Sequence, residues 1–558
     1  MNGSTMRAIG LLGAAVLVLA VTQSWARSAD VYERLDLLVD VQHEIVNHYV
    51  EDPDAEALAE AAVRGMIESL NDPYSTYLRP EDYAELNKQV TGTFSGIGAE
   101  ISTQSGRLEI VTPLEDSPAW NAGVMAGDIV LEIDGESTEG ITVQQAVGKL
   151  TGERGTDVTI RVRHETGEEE EITITRDTIQ VQTVRGFRRD ADQRFDFMLD
   201  DANRIGYVRL TSFSQKTVDE ITDAIEALNE QEMRGLIIDV RFDPGGLLSA
   251  AVKISDMFLE RGQRIVSIEG RRTPERVFDA TAPMLVHPSV EVVILANEAS
   301  ASASEILTGA LAENGRALFV GTRTFGKGSV QSVRELDAAS GAIKLTNAYY
   351  YLPNGRNIHR RADAEVWGVD PSPGSYVVMT PDEVSEMVRA RRDRDAVRQR
   401  AASDAAVTPA WVVEELKDPQ LAAALTAVLG KLETGAWPTV GEDGADELAR
   451  LSQLASLERR RESLAEALDR LDERIAKLEA GEDDAEAGDV EEMADAGEGE
   501  AEGVASEPDV SLDELDEEAR QQVEAARRAT IEAEKAAQEQ LEEKSLPEPE
   551  AAEPAGVE

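Results

Sequence analysis

Cysteine is absent from this chain of 558 residues, which removes disulfides, thiol nucleophiles, thiolate zinc sites and iron–sulfur clusters together. Histidine is scarce, at five, so a histidine-rich metal centre is excluded as well. Aromatic residues make up 4%, few enough that part of the length is expected to be helical or unfolded, although a hydrophobic content of 42% suffices for a packed core. Basic residues number 55 against 108 acidic ones, and the resulting charge of -53 argues against a nucleic acid or an anionic membrane surface as the main partner. Long apolar runs are rare too. One runs from Ala8 to Val21 behind Arg7 and ahead of Ser24-Trp25-Ala26, and it falls short of the ~20 residues needed to cross a bilayer. Residues 1–26 are therefore expected to be a signal peptide, favoured over an anchor that would attach the chain to a membrane. Either way the protein is expected to be exported, to the periplasm or cell envelope.

What is present divides the chain. Over residues 27–91, Leu35, Leu38, Val39, Ile45 and Val46, then Leu58, Ala62, Met66 and Leu70, recur at helical spacing. Residues 92–178 alternate in strand fashion between glycines, which predicts a compact β-rich domain. Residues 179–375 set apolar strands (Ile205 to Leu210, Leu236 to Val240, Val292 to Leu295, Ala317 to Val320) against helical patterns such as Val218 to Leu228, the rhythm of an α/β layer. Residues 376–480 turn to charged helix, where Leu454, Leu457, Leu464, Leu468, Leu471, Ile475 and Leu478 predict a short coiled coil. Residues 481–558 are expected to be an acidic, largely disordered tail, since 481–510 alone hold 13 acidic residues and no Lys or Arg. The N-terminal helices and the leucine seam together predict a homo-oligomer.

In the β-rich region, G-T-F-S-G-I-G-A-E-I places Gly96 and Gly98 just before a strand, where glycine lets backbone N–H groups turn toward one anion. Such a loop suits the terminal carboxylate of a peptide, which can then add to the sheet edge as a further strand, with Ile97 and Ile101 shaping its side-chain pocket. The later S-P-A-W-N-A-G-V-M-A-G-D-I-V-L-E-I-D-G reads as helix start, glycine stop, turn, strand and turn. Over about 85 residues the sequence resembles a PDZ domain.

Three loops after apolar strands carry chemistry: Asp239 to Gly246, Asn297 to Leu307 and Gly321 to Gln331. The carboxyl ends of strands in an α/β layer gather reacting groups, so these loops are expected to converge. Ser300, Ser302 and Ser304 stand at a predicted helix N-terminus, where free N–H groups stabilise developing negative charge but where serine also serves as an ordinary cap. Lys327, between Gly326 and Gly328, has room to be enclosed, and burial disfavours an ammonium, which makes an enclosed lysine a base for a serine. Gln331 can hold the amine through its side-chain oxygen. The run G-T-R-T-F-G-K-G imitates a phosphate-binding loop, but Gly328 stands where magnesium chemistry needs Ser or Thr, so no nucleotide is expected. His287, beside Pro288, reads as a surface residue.

With the early N-D-P-Y-S-T-Y-L at Asn71 to Leu78, these segments resemble the carboxy-terminal processing, or tail-specific, proteases over about residues 31–375. The resemblance implies an α/β multidomain protein whose ClpP/crotonase-like protease core carries an inserted PDZ domain. It implies a Ser/Lys endopeptidase that recognises protein or peptide substrates by their C-termini, with no metal and no other cofactor. It selects Ser302 as nucleophile, Lys327 as base and Gln331 as its partner, and it assigns an oxyanion hole to the N–H of Ala303 and of Gly245 or Gly246. Phe242 and Asp243 stand where the family often has two asparagines, and Tyr74 where it often has histidine. An acid at 243 would oppose charge at the oxyanion. The alternative is a catalytically weak PDZ scaffold of the cell envelope, against which the intact Ser302, Lys327 and Gln331 count.

Overall fold

The computed structural model describes residues 36–443, apart from 104–105, 165, 191–193, 337–340, 362–363, 365 and 396–405, together with residue 461. The expected signal segment, the leucines of the coiled-coil seam and the acidic tail lie outside these residues.

The helical N-terminal region is tied into the body rather than set apart from it. A helix over 36–48 is followed by Ala55–Glu68, which Asp54 caps by accepting the N–H groups of Glu56 and Ala57. The Asn71-Asp72-Pro73 turn then leads into Thr76–Leu78, a strand that pairs antiparallel with Ala342–Tyr351, far along the chain. Asp72 holds that turn by accepting the Ser75 hydroxyl at 2.5 Å, and Ser75 in turn accepts the N–H of Thr346.

The β-rich domain has the five-strand order Ala99–Ser102, Glu109–Pro113, Ile129–Ile133, Asp157–Arg163, Glu169–Thr175, antiparallel throughout. Its alternating Val158, Ile160 and Val162 face a core with Ile172, Ile174, Leu108, Ile110 and Leu150, as a period of two requires. Thr93–Gly96 pairs with Asp177–Gln180, so entry and exit lie side by side and the domain is an insertion.

The body is built on a parallel sheet in the order Ile205–Leu210, Gly235–Asp239, Glu291–Ala296, Ala317–Gly321, with short antiparallel strands at Val184–Arg185 and Met198–Asp200. All four strands anticipated from their apolar runs are present. Leu236 and Ile238 face one side, where Thr217–Glu230, Leu248–Asp256 and Ala303–Glu313 pack. Ile237, Val293, Leu295 and Val320 face the other, against Val412, Leu416, Leu425 and Val428 of the helices Pro409–Leu416 and Pro419–Thr434.

That second layer corrects the division expected from sequence. The sequence sets 376–480 apart as a helical region, yet 409–434 complete the core of the body, because parallel strands buried on both faces need helices on both. The approach is close enough that a Cβ on Gly235 would stand 2.4 Å from Cγ1 of Val428. A second sheet, of Arg264–Gly270, Thr273–Asp279, Ser329–Glu335, Ala342–Tyr351 and Thr76–Leu78, was not read from sequence. Its strand Thr273–Asp279 contains Pro274 and is mostly exposed, so it lacks the apolar run that marked the others.

Candidate active site

The three loops singled out in the sequence meet. Glu291–Ala296 ends in a turn in which Ser300 donates its hydroxyl to Val240 O at 2.8 Å and accepts the N–H of Asn297 at 2.9 Å. Ser304 donates to Asp243 O at 2.9 Å. Both serines are wholly buried and bind the first loop to the second. Ser302 stands between them, half-buried, with φ 56° and ψ -112°, a conformation that non-glycine residues rarely adopt. It is the N-cap of Ala303–Glu313. The N–H of Ala303 begins that helix and has no acceptor within it.

Glu305, one turn into the helix and fully buried, joins Ser302 to the lysine loop. Its Oε2 accepts the N–H of Ser302 and the N–H of Lys327, each at 2.8 Å. Its Oε1 accepts the N–H of Gly326 at 2.7 Å and the Thr324 hydroxyl at 2.6 Å. Burial pushes this carboxyl up, and these four donors hold it down. Tyr350, from the strand Ala342–Tyr351, donates to Lys327 O at 2.5 Å and lies 3.3 Å from Ser302 O. Ser302 and Lys327 thus share two buried partners.

The glycines around Lys327 were expected to leave room for the lysine, and the space goes instead to a segment the sequence did not single out. A Cβ on Gly328 would stand 2.6 Å from the N of His359, and one on Gly326 2.8 Å from Cδ1 of Trp367. The Lys327 ammonium nitrogen lies 4.9 Å from the ring centre of Tyr74, which packs edge-on against His359 at 5.9 Å. Burial, with Glu305 and Asp72 nearby, pushes the Tyr74 hydroxyl up to about 12, so the ring stays neutral beside the lysine. Burial lowers the His359 imidazole, with Arg361 and Lys327 acting in the same direction against Asp72. His359, rather than His287, is therefore the histidine at these loops.

Gln331 follows a bulge between Val330 and Gln331 in the strand Ser329–Glu335. Its Nε2 donates to Ser329 at 2.9 Å and to Thr346 at 3.2 Å, which leaves the amide oxygen as its acceptor. Gly245 lies against the nucleophile, since a Cβ there would meet Ser302 Cβ at 2.9 Å and Ala303 N at 2.7 Å. Its own N–H is taken by Asp243 Oδ1 at 2.8 Å, whereas among the described residues nothing accepts the N–H of Gly246. Of the two glycines, Gly246 keeps a donor to offer.

In the β-rich domain the glycine loop departs in part from expectation. Gly96 is spent in strand pairing opposite Asp177, and Gly98 adopts φ 77°, with its carbonyl accepting Leu114 N–H and the Ser117 hydroxyl. Among the described residues nothing accepts the N–H groups of Ile97 and Gly98, which are the donors left for a carboxylate. Ile97, expected to shape a pocket, is 3% exposed and belongs to the domain core; Ile101, partly buried on the edge strand Ala99–Ser102, is left for that role. A cavity of about 260 Å³ lies between this strand and the first catalytic loop, walled by Glu100, Val111, Thr112, Arg185 and Phe242.

Glu305, Tyr350, Tyr74 and His359 were not read as site residues. A signal existed for two of them. Ser302-Ala303-Ser304-Glu305 has the spacing of a capping box, and Tyr74 sits in the N-D-P-Y segment already noted. Tyr350 and His359 reach the site through sheet pairing and packing that no local pattern encodes.

Residues 204–372 match peptidase family S41, residues 109–164 match the PDZ domain, and residues 16–82 match the N-terminal domain of the activating protease CtpB. A carboxy-terminal-processing protease of Bartonella bacilliformis is 32% identical over 438 residues, covering 76% of this chain and 95% of its own. The carboxy-terminal processing protease CtpA of Bacillus subtilis is 34% identical over 328 residues, 59% of this chain and 67% of its own. A solved photosystem II D1 C-terminal processing protease is 26% identical and covers 61% of this chain and 92% of its own, at a TM-score of 0.35.

Proposed function

Since the chain belongs to the carboxy-terminal processing serine proteases of peptidase family S41, we propose that it is an exported endopeptidase that captures protein C-termini on its PDZ domain and cleaves with a Ser302/Lys327 dyad. The observation that carries this is the single Glu305 carboxylate oxygen that accepts the N–H of both residues. Ser302 attacks the scissile carbonyl while the Lys327 amine takes its proton, then returns that proton to the leaving amine. Water releases the acyl group by the same route. The Gln331 amide oxygen orients the amine, and the N–H groups of Ala303 and Gly246 receive the oxyanion.

The chain end docks as an added strand on Ala99–Ser102, its carboxylate toward the N–H groups of Ile97 and Gly98 and one side chain on Ile101. The cavity beside Phe242 opens between that strand and the loop that carries Asp243 and Gly245. The core is of ClpP/crotonase-like type, in keeping with its parallel sheet covered on both faces. Leu37, Val39, Tyr49 and Val50, exposed by 64%, 63%, 60% and 87%, support self-association through the N-terminal helices, to which the leucine seam would add. Export rests on the N-terminal apolar segment; among the described residues no helix is long and apolar enough to cross a membrane.

Ser302→Ala and Lys327→Ala are each expected to lower cleavage of casein by about 10⁴-fold or more, with circular dichroism unchanged. Residual activity near wild type in either variant would overturn the dyad.

A further inference from the structure

The first catalytic loop holds a carboxyl group that the proposed reaction does not use. Asp243 is 0% exposed and is tied to the nucleophile's turn at both ends. Its carbonyl accepts the N–H of Ala301 at 3.1 Å and the Ser304 hydroxyl at 2.9 Å, on either side of Ser302. Its Oδ1 accepts the N–H of Gly245 at 2.8 Å, and Gly245 is the glycine pressed against Ser302 and Ala303. The other oxygen, Oδ2, is buried with no partner.

The surroundings offer this group no compensating charge. On its own strand and loop stand Asp239 and Arg241, and the Arg241 guanidinium is spent on Asp239 and Asp418. From the nucleophile helix it meets the uncharged Ser304 and the backbone of Ala301. No cation pairs with it among the described residues. A carboxylate so placed loses its hydration and gains one N–H, so the neutral acid is the favoured form. Burial pushes the carboxyl up to about 7; the Gly245 N–H and Ser304 oppose the rise, and Asp239 adds to it.

Resting on the Ser302/Lys327 reading, we infer that Asp243 is a positioning residue of the oxyanion hole, which holds the Gly245 turn against Ser302 as a neutral acid and opposes the tetrahedral intermediate once it ionises. Ionised, it sets a negative charge on the Gly245 turn, which adjoins Gly246 and lies against Ala303, the two oxyanion donors. At ~6 Å and an effective dielectric of ~20, that repulsion slows acylation by roughly a hundredfold. Lysine catalysis gains from rising pH, so the two groups pull the rate in opposite directions. Asparagine accepts the same N–H and never ionises.

The test is the pH dependence of kcat/KM for casein cleavage by the full chain and by Asp243→Asn, from about pH 6 to about pH 9. The ratio of variant to wild type is expected to climb by about tenfold per pH unit above the Asp243 midpoint until it levels near a hundredfold. A ratio independent of pH overturns the inference while leaving the dyad standing, because the dyad fails only if Ser302→Ala or Lys327→Ala retains activity. Should Asp243→Asn not fold, infrared difference spectra of Ser302→Ala across the same range decide the matter. A protonated-carboxyl band that disappears near neutral pH supports the inference, and none overturns it.

Discussion

In the proposed dyad, Ser302 is set apart from the two serines beside it by its backbone. Ser300 and Ser304 spend their hydroxyls on Val240 and Asp243, and Ser302 is held at positive φ with its N–H on Glu305. Glu305 is therefore the residue whose loss separates the two loops. Glu305→Gln puts an amide N–H₂ where one oxygen now accepts two N–H groups, and the misplacement is expected to cost about a hundredfold in kcat with a much smaller change in KM. Steady-state kinetics on casein measure that split. Tyr74 offers a milder change. Its ring lies 4.9 Å from the Lys327 nitrogen and phenylalanine keeps that ring, so Tyr74→Phe is expected to keep cleavage within about threefold. At this scale the sequence singled out the loops of Ser302 and Lys327, which meet, and was silent about their buried supports, because each loop carries a motif, whereas His359 and Tyr350 are recruited by packing.

Among the elements, the helix Pro419–Thr434 is fixed to the sheet by charge as well as by apolar contact. Asp418, its N-cap, accepts the Leu421 N–H at 2.9 Å and pairs with Arg241, while Arg241 also binds Asp239 at the end of a central strand. All three are buried, so Asp418→Ala leaves a guanidinium under-compensated and is expected to cost about 3–5 kcal/mol, read from the urea midpoint. The same residues lie behind the first catalytic loop, so activity should fall with it. In the PDZ domain, hydrogen bonds donated to the carboxylates of Asp128 and then Glu170 hold the His164 imidazole above its usual value of 6.5. The folded value lies above the unfolded one, so the stabilisation is full below the unfolded pKa and is lost as pH rises through the folded pKa. Thermal melts should show that loss in the wild type and its absence in His164→Asn. For the edge strand Ala99–Ser102, amidation of a peptide's C-terminus is expected to weaken binding by at least about tenfold, measured by calorimetry with Ser302→Ala protein.

For the molecule as a whole, what counts as the catalytic body is set by which faces must be covered. A chain ending at residue 408 would bare Ile237, Val293, Leu295 and Val320 and is expected to precipitate, while one ending at 443 keeps both layers and should stay soluble and active. Expression and casein cleavage of the two separate these outcomes. The sequence on its own marked the four apolar strands of the parallel sheet, the inserted PDZ domain, and the three loops that meet at the site, since each is written in a local period or a short spacing of special residues. The tertiary structure decided the rest: which serine is strained and half-open, which glycine N–H remains to donate, that Glu305 bridges two loops, and that helices past residue 408 seal the core. These depend on contacts between segments up to hundreds of residues apart, such as Arg241 with Asp418, and a contact of that kind is a property of packing that no window of sequence contains.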